Sequence, residues 1–109
     1  MRAFQVAPAE LESILLEHPG IAEAVVVGVS DEKSGSELPR AYIVPQKDTT
    51  ARLTPEDVQQ LIADRLASYK RLTGGVKFLE AIPRNAIGKP LRALLIKQAV
   101  LEMQRESKL

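Results

Sequence analysis

The stretch Ala22-Glu23-Ala24-Val25-Val26-Val27-Gly28-Val29 decides the fold of this chain. It is rich in β-branched side chains, which suit a pleated surface. It is also too short for a typical helix, and its apolar run predicts a buried strand. Before it, Pro8 suits a first helical position, where its missing N–H would be unpaired anyway. Glu10 and Glu12 complement the positive end of that helix. Leu11, Ile14, Leu15 and His18 recur at the spacing of one buried stripe, and Pro19-Gly20 stops the helix.

After the valine run, Ser30 to Glu37 is polar, contains Gly35 and reads as a loop. Leu38 to Val44 predicts a second strand, with Pro39 at its start and Pro45 at its end, margins where proline is tolerated. Thr54-Pro55-Glu56-Asp57 announces a helix through a hydroxyl cap, a proline and first-turn acids. Val58, Leu61, Ile62 and Leu66 form its apolar face, and it ends near Ser68. The turn pair Gly74-Gly75 leads into a short strand, Val76 to Leu79. A polar loop from Pro83 to Pro90 precedes a last helix, Leu91 to about Gln104, with Leu91, Leu94, Leu95 and Gln98 on one face. The order helix, strand, strand, helix, strand, helix predicts an α+β fold, a small sheet of about three strands covered by helices.

Composition narrows the function classes. The chain has 109 residues, enough to bury roughly 65% of its unfolded surface. A net charge of +1 argues against a dedicated nucleic-acid binder, and with 4% aromatics there are few rings to stack on bases. No cysteine excludes disulfide scaffolds, cysteine nucleophiles and zinc ribbons, and one histidine cannot build a histidine metal site. No apolar run approaches the roughly 18 residues of a membrane span, and no signal peptide is visible. A small soluble intracellular domain is expected, short for an enzyme with its own pocket. The near-neutral charge conceals an asymmetry: residues 1–69 hold 6 basic and 11 acidic residues, residues 70–109 hold 9 and 3. The basic half either is a solvated surface or meets an anionic ligand.

Two motifs fail as sites. Gly74-Gly75-Val76-Lys77 follows a helix and precedes a strand, and Phe78 follows its lysine, so it reads as a plain turn and not a phosphate loop. His18 sits at a helix C-terminus as a cap or partly buried core residue. Pro83-Arg84-Asn85-Ala86-Ile87-Gly88-Lys89 is more informative. Its glycine permits a tight turn that projects Lys89 away from the domain. A lysine on a flexible stem suits a transient grip on phosphate or carboxylate oxygens, although a Gly-Lys pair before a helix taken alone is usually a solvated turn.

These motifs in series carry a resemblance. Phe4-Gln5-Val6-Ala7-Pro8-Ala9-Glu10-Leu11-Glu12 with His18-Pro19, then Gly28-Val29-Ser30-Asp31 with Gly35 and Glu37, come first. Tyr69-Lys70-Arg71-Leu72, Gly74-Gly75-Val76, Ile82-Pro83 and Gly88-Lys89 follow in order. Together they resemble the C-terminal domain of adenylate-forming enzymes, the superfamily of acyl-CoA synthetases, coumarate–CoA ligases and firefly luciferases. The resemblance covers nearly the whole chain. It implies that residues 1–109 are a mobile C-terminal lid domain whose partner is its own, absent N-terminal domain. It further implies a carboxylic acid substrate, with ATP and coenzyme A as co-substrates and Mg held mainly through ATP and the absent domain. The chemistry implied is carboxylate adenylation followed by thioester formation with coenzyme A, the isolated chain having little or no ligase activity. Luciferase-like oxidation of the adenylate, or a stand-alone interaction module derived from this domain, stay open at this point.

The resemblance also implies residue roles. Lys89 matches the catalytic lysine that reaches into the adenylation site, and Gln5 a glutamine of the same conformation. Arg2 and Ala3 match the pair lying along the pantetheine channel of coenzyme A, and Gly88 sets the loop geometry. Three positions depart from the family pattern: Ala3 for glycine, Ile87 for serine or threonine, and Pro90 for an apolar residue. Pro90 is expected to open the last helix. Finally, Ser107-Lys108-Leu109 matches a peroxisomal address, which predicts peroxisomal localisation, an import receptor as partner and a flexible tail over residues 104–109.

Overall fold

The computed structural model describes residues 7–31, 35–47, 53–66 and 72–107. Its elements are α1 (Pro8–Leu16), β1 (Ile21–Asp31), β2 (Ser36–Pro45), α2 (Pro55–Arg65), β3 (Val76–Phe78) and α3 (Arg92–Ser107). The strands form one sheet in the order β1-β2-β3. β1 and β2 pair antiparallel, with Val25 opposite Tyr42, while β3 runs parallel to β2. The architecture is the predicted α+β, three strands with helices on both faces.

The valine run is buried on both faces because successive strand side chains point to opposite sides. Val26 packs with Leu11, Ile14 and Leu15 of α1, Ala41 and Ile43 of β2, and Val58 and Ile62 of α2. Val25, Val27 and Val29 face the other way, against Tyr42, Val44, Ile82 and the α3 residues Leu95 and Ala99. Each fully buried Val, Leu or Ile contributes on the order of 1.5–3 kcal/mol.

The cap at α2 forms as read: Thr54 Oγ1 accepts from the Asp57 N–H at 3.1 Å, and Asp57 Oδ2 accepts from the Thr54 N–H at 3.0 Å. Other boundaries differ. The hairpin strands extend into the expected loop, reaching Asp31 and resuming at Ser36, because their ladder continues to that pair. Pro39 therefore lies inside β2, and its carbonyl accepts from the Gly74 N–H at 2.8 Å. α2 ends at Arg65 rather than near Ser68. His18 lies beyond the end of α1, where its Nδ1 accepts from the Gly20 N–H at 2.9 Å and closes the turn.

The last helix departs most. It opens at Arg92, so Pro90 is not its first residue and pairs with Arg84 in a short bridge instead. Leu91 and Leu94 are exposed, and the buried stripe is Leu95 and Ala99. The helix also continues through Ser107, so residues 104–107 are helical where a flexible tail is expected. Lys108 and Leu109 lie outside the described residues, as do Arg2, Ala3, Gln5, Lys70 and Arg71.

Candidate functional site

The loop between β3 and α3 carries the candidate residue Lys89. Ile82 is buried in the core beneath α3 and fixes the loop's start. The Leu91 N–H donates to the Pro83 carbonyl at 2.9 Å and closes its base. Inside, Asn85 is the hub. Its Oδ1 accepts from the N–H of Ile87 at 3.0 Å and of Lys89 at 2.9 Å. Its own N–H donates to the Lys89 carbonyl at 2.9 Å, and its carbonyl accepts from the Gly88 N–H at 3.0 Å. Gly88 adopts φ +89°, a left-handed conformation that a side chain would strain.

Both ends of the loop are braced on the open edge of the sheet, strand β1. Arg84 donates to the Gly88 carbonyl at 2.8 Å and pairs with Glu23 of β1 at 2.5 Å. Arg92 donates to the Val26 carbonyl at 3.0 Å and pairs with Glu12 of α1 at 3.1 Å. Glu12 in turn accepts from the Val26 N–H at 2.8 Å. The two side chains thus satisfy both backbone groups of Val26 and blunt an edge that would otherwise invite strand pairing.

The consequence is electrostatic. Three cations lie on or beside the loop, and Arg84 and Arg92 are neutralised by Glu23 and Glu12. Lys89 is exposed, and its ammonium meets no hydrogen-bond or ion-pair partner among the described residues. Its backbone is fixed while its head is free. Ile87, at the turn, is 78% exposed.

A second polar cluster is structural. Arg40 of β2 is 1% exposed and donates to Glu102 and Glu106 of α3 at 2.9 Å and to the Gly74 carbonyl at 2.7 Å. Its guanidinium stands 5.8 Å from the Tyr42 ring centre. The Tyr42 hydroxyl donates to Glu102 at 2.8 Å. Burial, aided by that hydrogen bond to Glu102, pushes the Tyr42 hydroxyl up to about 12. Burial alone would raise the Glu102 carboxyl, but hydrogen bonds from Gln98, Tyr42 and Arg40 outweigh it and hold the group below its ordinary value.

Sequence reasoning singled out the turn at Gly88 and Lys89 but not the side chains that brace it. Asn85 carried a readable signal, since asparagine side chains commonly cap nearby backbone N–H groups in turns. Arg40 with Glu102, and Arg92 with Glu12, are 62 and 80 positions apart and leave no local pattern. Gly74-Gly75 is the plain turn expected.

An open cleft of about 520 Å³ lies between α2 and the Gly75-Val76 segment, lined by Gln59, Gln60 and Ala63, and shares no residue with the lysine loop. No group of three or more histidine, aspartate or glutamate side chains stands ready for a metal among the described residues. The fold presents Lys89 as an exposed ammonium on a braced loop. The chain belongs to the AMP-binding enzyme C-terminal domain family, whose profile matches residues 10–89, a span ending on that lysine.

Its relatives agree. An acyl-CoA ligase of Aspergillus niger, azaF, is 54% identical over 95 residues, covering 87% of this chain and 17% of that protein. The 4-coumarate–CoA ligase CCL1 of Humulus lupulus is 44% identical over 101 residues, covering 93% of this chain and 18% of the relative. The ATP-bound structure of MatB from Rhodopseudomonas palustris matches with a TM-score of 0.76 at 30% identity, over 87% of this chain and 18% of that one. The chain therefore spans less than a fifth of the length of these relatives.

Proposed function

We propose that this chain is the C-terminal catalytic lid of an ATP-dependent acyl- or aryl-CoA ligase. The observation that carries the reading is Lys89, a free ammonium on a fixed backbone in a domain of a ligase-associated family. In the first half-reaction a carboxylate oxygen attacks the α-phosphorus of ATP and pyrophosphate leaves. Two anions must approach for this, and Lys89 supplies positive charge between carboxylate and α-phosphate as the bond forms. In the second, the thiolate of coenzyme A attacks the acyl carbon and AMP leaves. Mg, if carried on ATP, adds charge compensation; the residues described here offer it no ligand set and need not do so.

Joined to its N-terminal body, the domain is expected to convert carboxylic acid, ATP and coenzyme A to thioester, AMP and pyrophosphate. Thioester formation with a panel of aliphatic and aromatic acids tests this. Light emission without thioester, or no turnover with any acid, overturns it. Gln5 is proposed to serve adenylation with Lys89, and Arg2 and Ala3 to serve the pantetheine channel; all three lie outside the described residues. Where Ser107-Lys108-Leu109 forms a free C-terminus, we further propose that it is a peroxisomal address. Loss of peroxisomal import on deleting Leu109 supports that; unchanged import contradicts it.

A further inference from the structure

We propose that Asn85 is the positioning residue of this site, holding Lys89 in the geometry needed for adenylation; the inference rests on the ligase reading above. Four hydrogen bonds at 2.9–3.0 Å converge on this one residue, two from the side chain and two from the backbone. The two side-chain bonds are the ones a substitution can remove. They fix the N–H groups on either side of Gly88, the residue whose left-handed φ turns the chain. Without them, a loop containing that glycine gains access to several backbone shapes. The Lys89 stem then starts from a variable position. An ammonium on a long stem gains little by flexibility alone, because charge stabilisation in a reaction depends on prepaid orientation.

The braces do not substitute for this. Arg84 reaches the Gly88 carbonyl, and Arg92 lies beyond the loop on Val26 and Glu12. Arg84 thereby holds the carbonyl side of the Gly88–Lys89 peptide, while the N–H groups of Ile87 and Lys89 are held by Asn85. Asn85 also sits on an exposed loop rather than in the core. Its removal therefore acts on loop shape more than on global folding.

Asn85→Ala and Asn85→Asp in the domain joined to its N-terminal body test the proposal. Aspartate keeps an acceptor oxygen at the same place. Asn85→Ala is expected to slow acyl-adenylate formation by roughly tenfold in kcat, the order expected from losing two hydrogen bonds, with KM for ATP changed little. Thioester formation from preformed adenylate and the melting temperature stay near wild type. Asn85→Asp restores most of the adenylation rate. In the 109-residue chain, amide exchange at Ile87 and Lys89 is expected to accelerate in the alanine variant and not in the aspartate variant. An unchanged adenylation rate in Asn85→Ala, equal loss in both half-reactions, or an aspartate variant as slow as alanine overturns the assignment. Lys89→Ala separates the two levels of inference. If it cripples adenylation while Asn85→Ala does not, only the positioning role falls. If it leaves adenylation intact, the role given to Lys89 falls and the positioning role of Asn85 with it, whereas absence of adenylation in the unaltered enzyme is what overturns the ligase reading.

Discussion

Asn85 and Lys89 hold each other by the backbone at both polar groups: the Lys89 carbonyl accepts from the Asn85 N–H at 2.9 Å, and the Lys89 N–H donates to Asn85 Oδ1 at 2.9 Å. Both the N–H and the carbonyl of the lysine's main chain are engaged, and its ammonium meets no partner among the described residues. A residue so arranged presents its ammonium to solvent from a held backbone.

The two glycines of the frame differ in why they are glycine. At Gly88 nothing stands within 4 Å of an added Cβ, and only its φ of +89° resists a side chain. Gly88→Ala is expected to cost about 1–2 kcal/mol of stability or to reshape the loop. At Gly74 the added carbon would lie 2.8 Å from the Pro39 carbonyl oxygen, a backbone atom of β2. Gly74→Ala is expected to cost about 1–3 kcal/mol through displacement of that turn. Urea unfolding measures both, and adenylation is expected to suffer from Gly88→Ala far more than from Gly74→Ala.

Arg40 fastens α3, and with it the downstream end of the lysine loop, to the central strand. Arg40→Ala leaves the mostly buried Glu102 without its cation and is expected to destabilise by about 3–5 kcal/mol. Glu106, the other partner, is 56% exposed, and Glu106→Gln is expected to cost less than about 1 kcal/mol. Comparable losses in the two variants would contradict the ranking.

The same cluster sets a pH dependence at each extreme. Glu102 is held below its ordinary value in the folded chain, so its contribution is present above the unfolded carboxylate range and disappears as pH falls through the folded value. Tyr42 is raised to about 12, so its contribution is complete below the unfolded value of 10.0 and is lost as pH rises through the folded one. Stability is expected to fall at both ends. Glu102→Gln should flatten the acid limb and Tyr42→Phe the alkaline limb. Urea midpoints across pH measure this, and unaltered limbs would contradict it.

Most of the fold was legible in the sequence because its elements are written locally. The valine run, the Thr54-Pro55-Glu56-Asp57 cap and the Pro19-Gly20 stop each specify themselves within a few residues. The last helix was less so. Leu91 and Leu94 look as apolar as Leu95, and only tertiary packing decides which of them faces the sheet. Lys89 was legible through the Gly88-Lys89 pair and its context. The braces from Glu12 and Glu23 were not, because an ion pair between residues 80 or 61 positions apart leaves no trace in either neighbourhood.

Lys89 is proposed to serve adenylation. Its most direct test is single-turnover measurement of the two half-reactions in Lys89→Ala, in the domain joined to its N-terminal body. Acyl-adenylate formation is expected to fall by roughly a hundredfold or more, in line with losing one preorganised charge-stabilising group. Thioester formation from preformed adenylate is expected to stay within a few-fold of wild type. Equal loss in both steps, or none in either, would contradict it.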